Sequence, residues 1–242
     1  MTGTVLALDF DGVVCDALAE CALITWFGVH RHDRGTPGIK HLEAMQVEFV
    51  ARFRKVRDYA RLLDHFVVAH HPEVDAVVTQ DEFDALFASL DPAEVAAFTE
   101  AAGAARSWLR EREPEFWLDL HTLYPGLPEA LRRHAGSVAI ITAKDDASVR
   151  AILDRHALGS TVAEVYGECG AKADAVRDLA ARRGVAPSSV IFVDDNLANV
   201  RRVAETGARA LWAQWGYQIP EHRDEAARHE VEPLELSALA GI

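Results

Sequence analysis

The sequence predicts an α/β protein, a parallel sheet covered by helices, interrupted after its first strand by an all-helical insertion. Two observations predict it. In the C-terminal half, short apolar runs of strand length alternate with helical stripes, the pattern of a parallel sheet covered on both faces. Between about residues 16 and 121, apolar residues instead recur at three- and four-residue steps, the period of amphipathic helices.

In chain order, Thr4 to Leu8 (TVLAL) is an apolar run ending at Asp9 and reads as a buried strand. Within the insertion, Gly35-Thr36-Pro37-Gly38 is a loop. Leu42, Met45, Phe49, Phe53, Val56, Ala60, Leu63 and Val67 form one long helical stripe. Asp91-Pro92-Ala93-Glu94 offers an N-cap, a proline at the first helical position and an acid at the third. Val95, Phe98, Ala102, Ala105 and Leu109 then carry that helix on.

The next strand is Val138 to Thr142, and the helix after it carries Val149, Ile152 and Leu153. Thr161 to Tyr166 is a further strand, and a helix from about Lys172 to Arg183 closes at Gly184. Val190 to Val193 (VIFV) is a strand, the helix after it ends at Gly207, and Ala208 to Ala213 is the last strand. A glycine just past each helix suits the left-handed residue that stops it. The charged tail beyond Pro220 is expected to be partly helical. These elements divide the chain into a core of residues 1–15 and 122–242 and a helical domain of residues 16–121.

Composition narrows the function classes. Of 242 residues, 50% are apolar and 26% charged, which suits a soluble globular protein with a substantial core. No run approaches the ~20 apolar residues of a membrane span, and no basic region precedes an apolar stretch at the start, so no secretion signal is expected. A formal charge of −13 opposes non-specific binding to nucleic acid, which depends on Lys and Arg against phosphates. A small anionic substrate stays compatible, because the charge inside a pocket outweighs the total. Cys15, Cys21 and Cys169 form no disulfide or zinc pattern and read as reduced thiols of a cytoplasmic protein, monomeric or homodimeric.

Ligands of parallel α/β sheets bind outside the carboxyl ends of the strands. Four polar groups stand there: Asp9 and Asp11 of DFDG, Thr142 at the end of VAIIT, Lys172 just before a helix, and Asp194-Asp195 after VIFV. Side chains two apart on an extended segment point the same way, so Asp9 and Asp11 can flank one reacting atom. Converging carboxylates repel unless a hard cation lies between them, and Mg²⁺ suits oxygen ligands combined with a phosphate. Lys172 and the cation would keep Asp9 ionised by lowering its pKa, and an ionised aspartate is a nucleophile towards phosphorus. Asp11 can pass a proton to the leaving alcohol and later take one from water. Charge on the phosphoryl oxygens would meet Mg²⁺, Lys172, the Thr142 hydroxyl and backbone N–H groups, with Gly12 and Ala143 as further substrate-binding candidates.

With these residues in this order, the sequence resembles the haloacid dehalogenase-like hydrolases, whose motifs appear as DFDGVV, IIT, a lysine before a helix, and VDDNLAN. The resemblance covers residues 1–15 and 122–242 and includes LYPGLPEAL and TGARALWAQWG. It implies a Rossmann-like core with a helical cap inserted after the first motif. It implies Asp9 as nucleophile, Asp11 as acid/base with its carbonyl on magnesium, and Thr142 and Lys172 on the phosphate. Asp194 would be a magnesium ligand, and Asp195 a ligand or a supporting partner. The second acid of the motif, Asp11, marks phosphatases and phosphomutases rather than carbon–halogen hydrolases. Asp16 departs from the serine of many relatives, and Ala173 from the proline that often follows the lysine.

Taken singly, each signal has a plainer meaning. Asp-x-Asp-Gly is often only a turn, Thr142 could end a strand, Lys172 could be solvated, and Asp194-Asp195 could cap a helix. Their joint order favours catalysis. An EF-hand is excluded, since Val13 and Val14 occupy ligand positions. A signalling receiver is disfavoured because Asp194-Asp195 follows Lys172. Phosphoryl transfer to an acceptor other than water, and a catalytically silent relative, are the competing functions. Arg54, Arg57 and Arg61 read first as a solvated helix face, with Arg57 the candidate for an anionic substrate. His30-x-His32 and His70-His71 are weak metal candidates, and Trp212, Trp215 and Tyr217 read mainly as packing.

Overall fold

A computed structural model describes residues 3–29 and 37–242. In chain order it comprises β1 (Val5–Leu8) and β2 (Cys15–Asp16), then α1 (Leu18–Val29), α2 (Ile39–Ala44), α3 (Val47–Tyr59), α4 (Gln80–Ser89), α5 (Pro92–Arg112) and α6 (Pro114–Asp119). There follow β3 (Thr122–Leu123), α7 (Leu127–Arg133), β4 (Val138–Ile141), α8 (Asp146–Arg155), β5 (Val162–Tyr166) and α9 (Lys172–Arg183). The chain ends with β6 (Val190–Asp194), α10 (Leu197–Ala204), β7 (Arg209–Ala213), α11 (Glu221–Arg228) and β8 (Glu232–Leu234). It forms two compact units, Met1–Asp16 with Thr122–Ile242, and Ala17–His121.

The first unit is built on a parallel six-stranded sheet of order β5-β4-β1-β6-β7-β8. β1 is central because all four of its residues are apolar and can be covered on both faces. Val5 and Ala7 share one face with Ala139, Ile141, Val190 and Phe192, packed against Val176 and Leu179 of α9. Fully burying side chains such as Leu6, Leu8 and Phe192 contributes about 1.5–3 kcal/mol each. The chain leaves β1 for β4 on one side and returns to β6 on the other. That reversal opens a crevice at the carboxyl ends of β1, β4 and β6. The two-residue β2 and β3 pair antiparallel, Cys15 opposite Leu123 and Asp16 opposite Thr122.

The second unit is helical. α5 starts as its sequence dictates, with Asp91 Oδ1 accepting from Ala93 N at 2.9 Å and Pro92 in the first turn. α4 carries a capping box between Thr79 and Glu82. Glu20 on α1 is fully buried and receives both forks of Arg106 on α5, at 2.7 and 3.0 Å.

Three expectations are corrected. The stripe from Leu42 to Val67 is not one helix: the backbone turns extended at Met45 and at Ala60, and Asp64–His70 is a 3₁₀ segment. Periodicity reported the buried face (Phe49, Phe53 and Val56) but not the helix ends, and the 3₁₀ segment packs against α3. The tail holds a sixth strand, β8, besides the expected helix. Not every helix stops at a glycine: α9 does, at Gly184 with φ 65°, but past α8 the positive φ falls on Ala157. Residues 30–36, with the His30 and His32 pair and Gly35-Thr36, lie outside the described residues.

Candidate active site

Asp9 directly follows β1 and stays tied to the sheet, its N–H donating to Val193 O at 2.9 Å. The chain then closes a tight loop, with Val14 and Cys15 both donating to Phe10 O at 2.8 and 2.9 Å. Asp9 Oδ1 accepts from Phe10 N at 2.7 Å, and Oδ2 lies 2.7 Å from Lys172 Nζ. The first residue of α9 thereby reaches the end of β1.

Lys172 also bonds Asp194 Oδ2 at 2.8 Å. Asp194, fully buried at the end of β6, accepts further from Asn196 N at 2.8 Å and Asn199 Nδ2 at 3.1 Å. Burial pushes the Asp9 carboxyl up to about 6; Lys172 pulls it down and Asp194 pushes it up again. Desolvation, which penalises the charged form, outweighs Lys172 on its own; the expected depression rests on the lysine together with a cation. For Lys172, burial also works against charge, but the carboxylates of Asp194 and Asp9 outweigh it and hold the ammonium above the ordinary lysine value.

Asp195 is fixed differently. Its Oδ2 accepts from Tyr217 N at 2.7 Å, and its carbonyl accepts from Trp212 Nε1 at 3.1 Å. Its side chain lies between Gly12 and Gly216, where an added Cβ would come within 2.1 Å and 2.5 Å of Oδ2. Gly12 also has φ 90°, so glycine is required there on two counts. Tyr217 OH donates to Asp16 Oδ1 at 3.1 Å and Trp215 Nε1 to Val13 O at 3.0 Å. The aromatic segment expected as packing thus braces the first loop and Asp195 together.

On the β4 loop, the Thr142 hydroxyl accepts from Lys144 N at 3.2 Å, which leaves its own proton available to a ligand. Ala143 is exposed beside it. Gly12, a substrate-binding candidate, donates its N–H to Cys15 O at 2.8 Å, which helps to set the loop's shape. Lys144 was not anticipated from sequence. Its Nζ lies 3.2 Å from Asp11 Oδ2, while Asp11 Oδ1 is buried with no hydrogen-bond partner among the described residues.

Ligand atoms of Asp9, Asp194 and Asp195 all lie within 4.8 Å of one another, the one such set of three among the described residues. Four carboxylates here (Asp9, Asp11, Asp194 and Asp195) face two ammonium groups, Lys144 and Lys172. Hard oxygen donors gathered this closely fit a divalent cation such as Mg²⁺.

The remaining candidates lie in the helical unit. Arg57 donates from Nη1 to Ala60 O at 3.4 Å and stacks over Phe66 at 5.7 Å, while Arg54 and Arg61 are exposed. His70 Nε2 contacts Thr25 O at 2.9 Å and His71 Nε2 contacts Glu94 Oε1 at 3.0 Å, so both rings are engaged within the helices.

Solved structures share the fold at low identity. A haloacid dehalogenase-like family protein from Streptococcus pneumoniae is 16% identical, with 99% of this chain and 98% of that one covered at a TM-score of 0.65. A protein from Haemophilus somnus, titled a predicted phosphoglycolate phosphatase, is 18% identical over 100% and 98% at 0.64. One from Agrobacterium tumefaciens, a conserved haloacid dehalogenase-like protein, is 15% identical over 98% and 94% at 0.57. No curated protein matches the sequence. The model of the haloacid dehalogenase-like hydrolase family matches residues 3–203, which span both the strand-end acids and the helical unit. The chain belongs to the haloacid dehalogenase-like hydrolases.

Proposed function

We propose that the protein is a magnesium-dependent phosphomonoester hydrolase acting on a small phosphorylated metabolite through an aspartyl-phosphate on Asp9. The observation that carries the reading is the convergence at the sheet's carboxyl edge. There Asp9 is held by Lys172 at 2.7 Å, with Asp194 and Asp195 within shared ligand reach.

Asp9, Asp194 and the Asp11 carbonyl would hold the magnesium, with Asp195 as a further ligand or a support. When bound, the ion neutralises excess carboxylate charge and withdraws charge from the phosphoryl oxygens. A carboxylate oxygen of Asp9 attacks phosphorus. The bond to the leaving oxygen breaks, and that oxygen takes the electron pair together with a proton from Asp11. Water then attacks the aspartyl-phosphate and gives its proton to the Asp11 carboxylate, releasing phosphate and regenerating Asp9. Lys172 and the Thr142 hydroxyl donate to the phosphoryl oxygens throughout, an electrostatic contribution of the kind that dominates phosphoryl transfer. The helical unit is assigned the selection of substrate. Two solved relatives bear phosphoglycolate phosphatase in their titles, which supports a small phosphorylated acid as the first substrate to try.

The test is acid-quenched turnover with Mg²⁺ and a panel of phosphorylated metabolites, followed by mass spectrometry of the peptide containing Asp9. Phosphate on that peptide is expected. Sustained phosphate release from an Asp9→Asn protein would overturn the mechanism.

A further inference from the structure

We propose that Lys144 is a positioning residue for proton transfer to the leaving group, acting through Asp11; this rests on the phosphatase reading above. The observations are geometric. Lys144 Nζ lies 3.2 Å from Asp11 Oδ2, and the lysine side chain is only 9% exposed. An ammonium so nearly withdrawn from water needs a fixed anionic partner, unlike a solvated surface lysine. Asp11 follows Asp9 on the turning loop after β1, and the other carboxylate oxygen, Oδ1, is buried with no hydrogen-bond partner among the described residues. Anchoring Oδ2 removes rotational freedom from the carboxyl and leaves Oδ1 to exchange the proton.

The backbone of the same residue ties this anchor to the phosphate loop. Lys144 N donates to Thr142 Oγ1 at 3.2 Å, and Lys144 O accepts from Glu168 N at 3.0 Å. A Cβ on Gly167 would stand 3.0 Å from Lys144 O, so the loop after β5 packs closely against it. One residue therefore sets the hydroxyl that meets the phosphate and the carboxyl that serves the leaving oxygen, on loops that follow different strands. Proton transfer is sensitive to such placement, because it requires hydrogen-bond reach to the leaving oxygen.

The role has a signature that phosphate binding lacks. An alkoxide leaving group needs a proton as the bond breaks, whereas nitrophenolate departs without one. The experiment compares wild type, Lys144→Met and Lys144→Arg on p-nitrophenyl phosphate and on a simple alkyl phosphate, measuring kcat and KM with Mg²⁺. The expected result for Lys144→Met is a fall in kcat on the alkyl ester of about 100-fold, at least ~10-fold more than on the aryl ester, with the larger effect in kcat rather than KM. Lys144→Arg, which keeps a cation on Asp11, should recover most of the alkyl activity. If Lys144→Met does not fold, as judged by circular dichroism, Lys144→Gln takes its place with the same expectation. Equal losses on both esters, a loss confined to KM, or no loss overturns the inference while the phosphatase reading stands. A wild type inactive on both esters sinks the phosphatase reading, and this inference with it.

Discussion

The helical unit and the core unit each bury acids, and they treat them differently. In the helical unit Glu20 has no exposure, and both its oxygens are met by the fork of Arg106, with the Cys21 thiol donating at 3.4 Å. Charge and hydrogen bonds balance there, and what results is a brace between α1 and α5. In the core unit the carboxylates of Asp9, Asp194 and Asp195 crowd within 4.8 Å of one another at the carboxyl ends of the strands, and a buried oxygen of Asp11 has no hydrogen-bond partner among the described residues. An acid met on both oxygens by one arginine is a brace; acids that crowd one another are the arrangement a bound cation would relieve. The polypeptide around such acids must supply the stability to keep them crowded.

That contrast can be broken by experiment, beginning with the largest effect. Asp9→Asn should lower phosphatase activity by about 10⁴-fold or more while the protein stays folded, because the change removes a nucleophile and relieves repulsion from Asp194. A large loss of melting temperature in that variant would mean that the acid cluster is structural after all. Chelation comes next. EDTA should abolish activity, and Mg²⁺ at ~100 times its Kd should add about 2.7 kcal/mol to the unfolding free energy. An Asp194→Asn protein should gain less. Equal thermal shifts with and without Asp194 would remove it from the metal site.

The helical unit should respond in the opposite sense. Arg106→Ala strands Glu20 in the interior and should cost about 3–5 kcal/mol in stability by chemical denaturation. Replacing both partners with leucine should recover most of that loss, since the pair is a balanced one. The smallest effect is expected at Arg57. Arg57→Ala should raise KM for a phosphate ester carrying a second anionic group by about two- to fivefold more than for an aryl phosphate, the worth of a part-exposed ion pair. Equal changes in both would make Arg57, already donating to Ala60 O and stacked on Phe66, a packing residue alone.

Much of the site was legible because its residues sit at places that local pattern reveals. Asp9, Thr142 and Asp194 each end or follow an apolar run of strand length, and Lys172 opens a helix closed by Gly184. Lys144 gave no such signal. It is one more lysine between a strand and an Asp-capped helix, and only the spatial approach of the β1 and β4 loops gives it a partner. Tyr217 likewise looked like packing until its N–H and hydroxyl were found on Asp195 and Asp16. β8 was missed because three residues with a proline carry little pattern of their own, and pairing with β7 at the sheet edge defines it.

By itself the sequence determined the alternation of strands and helices, the helical nature of the insertion after the first strand and the strand-end acids, since hydrophobic period and capping act over a few residues. The tertiary structure decided where the long helical stripe breaks, that Asp195 is wedged between two glycines, and how deeply Asp9 is buried beside Lys172. Those outcomes depend on which distant segments meet and how much water they exclude. No local period records that.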